Sequence, residues 1–129
     1  FCIQYLQDLS FSEYNNLYKR DLKMNILIND SNFDSEVLNS DLPVLVVFYS
    51  DWCHICKRIH EYVDELKEEY KDILKIAKAN SEHTLELISS LNITGVPTIL
   101  LYKKGTLIQR INGFLSKKQL QDFLEKNLK

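Results

Sequence analysis

Two cysteines three positions apart, Cys53 and Cys56, are the residues of this chain best suited to chemistry. A pair at this spacing can form a catalytic disulfide, supply half of a metal site, or pack as two inert thiols. The thiolate rather than the thiol is the reacting species, so the surroundings of the two sulfurs decide between these roles. The chemistry of the pair therefore follows from the elements on either side of it.

Two elements meet at the pair. The residues before it, Val44 to Tyr49, are β-branched and aromatic without polar alternation, which is typical of a central strand covered on both faces. After it, apolar residues recur at i, i+4, i+7 and i+11 and predict a helix from Trp52 to about Tyr70. The pair is therefore expected where a strand leads into a helix, with Cys53 as the outer residue.

This position favours a reactive dithiol. Residues i and i+3 of a helix have Cβ atoms about 5–6 Å apart, so a small rotamer change brings the two sulfurs into bonding range. The unpaired N–H groups and the dipole at the helix N-terminus stabilise a thiolate on Cys53, and a protonated His54 acts in the same direction. Zinc is the main rival, with His60 or His83 as added ligands, but no second cluster with short ligand spacing completes the site. A redox dithiol is favoured over zinc and over inert thiols, and no metal is expected.

The rest of the chain indicates an α/β fold. Residues 1–22 carry apolar positions largely at helical spacing, which predicts an amphipathic N-terminal helix. Beyond them strands and helices alternate, and this order favours helices on both faces of a sheet. The further strands are expected at 24–28, 73–79, 98–102 and 106–111. The further helices are expected at 31–38 with Ser31 as its cap, at 82–91, and from Ser116, which is expected to cap the last helix. We therefore predict a helical extension over 1–23 and one domain over 24–129.

Length and charge exclude several functions. A chain of 129 residues can bury a core without disulfide or metal staples. A net charge of -2 with mixed signs offers no basic face for nucleic acid, and no apolar run approaches the roughly 20 residues of a spanning helix. Cys2 is interpreted as a small apolar residue near the terminus. Because the chain begins at Phe1, we expect a trimmed start or a removed targeting segment, and a secretory or organelle location is favoured over the cytosol.

From about Met24 to Leu128 the chain resembles the thioredoxin family. Trp52-Cys53-x-x-Cys56-Lys57 is similar to the family's active site, and Gly95-Val96-Pro97-Thr98 is similar to its loop with a cis proline. The further matches are Gly105, Gly113, the helix start Ser31-Asn32-Phe33 and the helix start Ser116-Lys117-Lys118-Gln119-Leu120. The resemblance implies a thioredoxin fold, with a central mixed five-stranded sheet in the order β1-β3-β2-β4-β5 and four flanking helices.

The resemblance also implies roles for the site residues. Cys53 would attack a substrate disulfide, and Cys56 would resolve the mixed disulfide. An extended substrate peptide would pair with the rim around them. The rim residues are Trp52, His54, Ile55, Val96, Pro97 and Gly113. The redox-active disulfide Cys53–Cys56 then serves without a separate cofactor, and the expected partners are disulfide-containing proteins and a thioredoxin reductase or another thiol donor.

Two departures from the family concern the chemistry. His54-Ile55 stands between the cysteines, where reducing thioredoxins have Gly-Pro. The histidine either favours the thiolate, which makes the disulfide a stronger oxidant, or is solvated and has little effect on the pair. Most of the family buries an aspartate beneath the cysteines as proton acceptor for the resolving thiol, and Val47 takes that position. Lys78 resembles that aspartate's lysine partner and is expected to extend along the sheet to solvent. Together with Lys57, Val47 and Lys78 are expected to tune the pair, and the resolving step is expected to be slow.

The favoured function is thus a thiol–disulfide oxidoreductase that reduces or exchanges disulfides in proteins, with substrate choice shaped by the N-terminal helix and by Phe114. The alternative is an accessory subunit of a larger complex, such as a protein-export translocon, which keeps the fold mainly for docking through the N-terminal helix. An inert cysteine pair would favour that alternative, and fast reduction of insulin would oppose it.

Overall fold

A computed structural model describes residues 26–128, which form one mixed sheet of five strands. The strands are β1 (Ile26–Ile28), β2 (Val44–Tyr49), β3 (Lys75–Asn80), β4 (Thr98–Lys103) and β5 (Thr106–Asn112). β3 pairs in parallel with β1 and β2, whereas β4 runs antiparallel to β2 and β5 antiparallel to β4. The strand order β1-β3-β2-β4-β5 confirms the thioredoxin fold predicted from the sequence.

Four helices accompany the sheet within residues 26–128: α1 (Asp34–Leu38), α2 (His54–Tyr70), α3 (Leu85–Ser90) and α4 (Lys117–Leu128). α1 is a wide turn, in which the Asn39 N–H donates to the carbonyl of Asp34 at 2.9 Å. None of these helices is long and apolar enough to cross a membrane. The helix predicted over 1–22 and Cys2 lie outside the described residues, so the extension over 1–23 stays a prediction.

The starts of the first and last helices have different capping. The prediction that Ser31 caps α1 is wrong, because α1 begins after Phe33 with no side-chain cap and the Ser31 hydroxyl donates instead to Asn29 Oδ1 at 2.6 Å. Ser116 does cap α4: its Oγ accepts from the Gln119 N–H at 3.2 Å. Gln119 Oε1 in turn accepts from the Ser116 N–H at 2.9 Å, which makes a reciprocal capping box.

β2 lies at the centre of the core, with apolar clusters on both faces. Its residues Val44 to Phe48 are at most 1% exposed, as their apolar run predicted. Val46 and Phe48 pack on the side of α1 and α3, whereas Leu45 and Val47 pack on the side of α2 and α4. The apolar row of α2 is buried against this second face at Ile59, Val63, Leu66 and Tyr70. The row therefore holds the start of α2, and with it the cysteine pair, beside the carboxyl end of β2.

Candidate active site

Cys53 is the N-cap of α2. Its backbone is extended, and its Sγ accepts a hydrogen bond from the Cys56 N–H at 3.2 Å. The Cys53 N–H donates to the carbonyl of Ser50 at 3.2 Å, which holds the residue at the end of the turn from β2. The sulfurs of Cys53 and Cys56 are bonded in a disulfide, with Cα atoms 5.3 Å apart. Placed here, the Cys53 sulfur faces the unpaired N–H groups of the helix, which favour a thiolate once the disulfide is reduced.

The disulfide is shielded, while its neighbours are exposed. Cys53 is 7% exposed and Cys56 only 1%, so Cys53 is the more accessible residue of the pair. Trp52 is 71% exposed and Ile55 51%, and both are large apolar side chains that a folded domain usually buries. Exposed apolar side chains thus flank the more accessible cysteine, which suits an incoming peptide.

The loop before β4 lies beside Trp52. Trp52 and Val96 line one hollow of about 240 Å³. The peptide bond between Val96 and Pro97 is cis. The Gly113 N–H donates to the carbonyl of Pro97 at 2.9 Å. Gly113 has a φ of 121°, a backbone conformation that residues with a side chain rarely adopt. Trp52 and Val96 therefore share a hollow, and Pro97 and Gly113 share a hydrogen bond. The sequence predicted all four residues for the substrate rim.

A second hollow, of about 380 Å³, opens on the other side of the cysteine motif. It is lined by His54, Ile55, Arg58 and Phe114. His54 and Ile55 were predicted rim residues, and Phe114 was predicted to shape substrate choice. Arg58 was missed, although its position four residues after His54 places both on one face of α2. Lys57, also expected to tune the pair, is exposed in the first turn of α2.

The buried side of the pair is apolar at Val47. Val47 is fully buried and lies in register between Lys78 on β3 and Ile99 on β4. The expectation that Lys78 extends to solvent is wrong: its side chain is only 11% exposed, and its Nζ lies 3.2 Å from the Asp64 carboxylate on α2. The pair forms because Lys78 points to the face of the sheet that α2 covers.

His60 lies next to this ion pair. Its ring packs edge-on against Tyr49 with centroids 4.5 Å apart, and its Nδ1 is buried without a hydrogen-bond partner among residues 26–128. Burial lowers the pKa of His60, the Lys78 ammonium lowers it further, and the Asp64 carboxylate acts in the opposite direction. His83, the other histidine considered for zinc, is exposed on the turn before α3. Within the described residues, no group of three or more potential ligands could hold a metal ion.

Comparison with known proteins agrees with this geometry. The sequence profile of the family named Thioredoxin matches residues 24–126. A thioredoxin of Acidithiobacillus ferridurans is 40% identical over 103 residues, which are 80% of this chain and 95% of that protein. Thioredoxin 1 of a Nostoc species is 36% identical over 101 residues, covering 78% of this chain and 94% of that protein. A thioredoxin of Rickettsia felis is 38% identical over 101 residues, covering 78% and 96%.

The profile match covers the sheet, the disulfide and the loops around it. The chain belongs to the thioredoxin family. Its site is that of a thiol–disulfide oxidoreductase, as the sequence predicted.

Proposed function

We propose that the chain reduces or exchanges disulfides in protein substrates through the dithiol of Cys53 and Cys56. The observation that carries the proposal is the Cys53–Cys56 disulfide at the N-terminus of α2, in which the outer residue, Cys53, is the more accessible. A disulfide at this place can open and close by rotation of two side chains, because both cysteines are already held by the same helical turn.

The reaction begins on the exposed side of the pair. Reduced Cys53 is the nucleophile, since its sulfur faces the helix N-terminus and is less buried than that of Cys56. Attack on a substrate disulfide releases one substrate thiolate and leaves the other sulfur bonded to Cys53. Cys56 then attacks Cys53, re-forms the internal disulfide and releases the second substrate sulfur. A thioredoxin reductase or another thiol donor returns the pair to the dithiol state, and no separate cofactor takes part.

The hollow beside Phe114 supports a substrate preference. The exposed Phe114 and Ile55 offer apolar contact, while Arg58 adds a cation and His54 an imidazole ring. Charge complementarity at a rim changes the rate of encounter more than the final affinity. A peptide with an apolar residue and a carboxylate near its disulfide should therefore react faster than one with a lysine there.

Docking within a larger complex is the second candidate function. It is favoured by Val47, because a buried valine cannot supply a proton acceptor for Cys56. In that proposal the segment before residue 24 grips the partner, and the cysteine pair contributes little. A secretory or organelle location also remains a prediction.

Insulin reduction separates the two candidates. Wild-type protein with a thiol donor should reduce insulin well above the rate of the donor alone, and Cys53→Ser should bring the rate back to that of the donor. Cys2→Ser serves as the control for the remaining cysteine and should retain the wild-type rate. A wild-type rate no faster than that of Cys53→Ser would contradict the oxidoreductase proposal and leave docking as the function.

A further inference from the structure

The buried side of the site contains an imidazole near the resolving cysteine. His60 follows Cys56 by four residues in α2, so the two side chains lie on one face of the helix with Cβ atoms about 5–6 Å apart. Side chains of an α-helix lean toward its N-terminus and over the residues three and four positions earlier. This lean carries the His60 ring toward Cys56.

The sheet holds the ring at the same end of the molecule as the disulfide. Tyr49, which His60 contacts edge-on at 4.5 Å and 83°, is the last residue of β2. It comes two residues after Val47, on the same face of the strand, and only four residues before Cys53. The imidazole therefore lies between α2 and the strand end that leads into the cysteine motif.

One nitrogen of this ring is available to accept a proton. Nδ1 is shielded from solvent and receives no hydrogen bond from any donor of residues 26–128. A buried polar atom without a partner costs free energy, and such atoms are rare unless they serve a function. A neutral imidazole carries a lone pair on one of its two nitrogens, and Nδ1, which no donor of residues 26–128 occupies, can carry it.

The groups around the ring favour its neutral form. Burial lowers the pKa of His60; Lys78 on β3 adds to this, and Asp64 on α2 opposes it. Lys78 and Asp64 are themselves joined at 3.2 Å, and of the two charges that of Lys78 has the larger effect on the ring. On β2, burial raises the pKa of the Tyr49 hydroxyl, and the Asp51 carboxylate raises it further against a hydrogen bond with Asn80, so Tyr49 stays a neutral phenol. A neutral imidazole is the form that acts as a base.

We propose that His60 is the proton acceptor for the resolving cysteine. In the mixed disulfide, the Cys56 thiol gives its proton to His60 Nδ1, and the resulting thiolate attacks Cys53 Sγ. The bond between Cys53 Sγ and the substrate sulfur breaks, and its electron pair leaves with the substrate sulfur. The imidazolium then loses its proton to that thiolate or to solvent. Over both steps two protein thiols are oxidised and one substrate disulfide is reduced to two thiols.

The inference rests on the proposed function, and the two can be tested in one experiment. Dithionitrobenzoate is a symmetric disulfide whose thiolate product is coloured. Attack by Cys53 releases the first coloured thiolate at a rate that depends on reagent concentration. Attack by Cys56 releases the second at a rate independent of concentration. A Cys2→Ser background removes the third thiol, and stopped-flow absorbance from pH 5.5 to 9 follows both phases.

His60→Asn should slow the second phase about 100-fold at pH 7, the usual contribution of a positioned base, and leave the first phase unchanged. His83→Asn, at an exposed histidine outside the site, should change neither phase. A purely structural role for His60 is tested by adding Val47→Asp to His60→Asn: a new carboxylate base should recover part of the rate although it cannot restore the packing of the ring. An unchanged second phase in His60→Asn would overturn the inference.

The wild-type protein gives a test that no folding defect can affect. The rate of the second phase should fall on the acid side with an inflection at the His60 pKa, measured by NMR titration of the reduced protein. A rate that passes through that pKa without an inflection would contradict the role of His60. Failure of the proposed function would look different, because the first phase would then be slow or the two cysteines would react at equal rates.

Discussion

The two sides of the disulfide are built from different kinds of interaction. On the outer side, backbone groups dominate: Cys53 caps α2, and the Gly113 N–H fixes the carbonyl of Pro97. On the inner side, Cys56 is 1% exposed in a region where side chains determine the chemistry, with an apolar Val47 and a half-buried His60. Attack on substrate thus depends on the fold itself, whereas resolution depends on individual side chains.

The largest test of this comparison removes the inner sulfur. Cys56→Ser should still react with a substrate disulfide through Cys53, because the helix N-terminus that favours its thiolate is unchanged. It should then fail to release the product, so the mixed disulfide accumulates to nearly one per protein. Mass spectrometry after reaction with a peptide disulfide measures both steps. Release at the wild-type rate would show that an outside thiol, rather than Cys56, resolves the intermediate.

Val47→Asp places a carboxylate on the inner side. The buried charge should lower the free energy of unfolding by about 2–4 kcal/mol, because Lys78 already pairs with Asp64 and would have to be shared. The new base should also speed release of the mixed disulfide at neutral pH. Chemical denaturation measures the first effect, and single-turnover release between pH 6 and 9 measures the second.

Val47→Asn is the matched control for this substitution. It buries a polar group of similar size without a base, so it should destabilise the protein and leave the release rate unchanged. If the release curves of wild type and Val47→Asp coincide, the absence of a carboxylate at this position does not limit resolution.

On the outer side, a substitution of Arg58 should have a smaller effect than those on the inner side. Arg58→Glu should reverse the charge preference of the hollow lined by Phe114, and slow reaction with an acidic peptide disulfide about threefold to tenfold at low salt. Lys104→Glu makes the same charge change in the exposed turn between β4 and β5 and should have little effect. Equal losses in the two variants would mean that net charge alone governs the encounter.

Sequence patterns predicted the parts of the molecule that depend on local rules. The continuous apolar run of β2, the apolar row of α2 and the Ser116 cap are each set by neighbours along the chain. The Ser31 cap failed because α1 begins only after Phe33, and Asn29 Oδ1 accepts hydrogen bonds from the N–H groups of Ser31 and Asn32. The helix predicted over 82–91 is confined to Leu85–Ser90, since a 3₁₀ turn occupies its first residues.

The inner side was harder to predict because its contacts join distant segments. The ion pair of Lys78 and Asp64 links β3 to α2, and no residue spacing in the sequence predicts it. His60 could have been found from its position four residues after Cys56, but only the contact with Tyr49 shows which way the ring is held. Resemblance to the family identified the residues of the outer side. On the inner side it showed only that Val47 takes the place of the family's buried aspartate.

The smallest expected effect is a loss of stability at acid pH that arises from His60 on the inner side. The pKa of His60 is lowered in the folded protein by burial first and by Lys78 second, with Asp64 in opposition, while an unfolded chain keeps a value of about 6.5. Between these two values the unfolded state binds more protons, so the free energy of unfolding should fall as the pH drops through that window. Above the window both states are neutral and the full stability is present.

His60→Asn should remove this part of the pH dependence, whereas His83→Asn should retain it. Denaturation curves at several pH values between 4 and 8 measure the slope. An identical slope in wild type and His60→Asn would show that the ring takes up its proton as easily in the folded protein as in the unfolded chain. A folded pKa near 6.5 would also weaken the case that His60 stays neutral to serve Cys56.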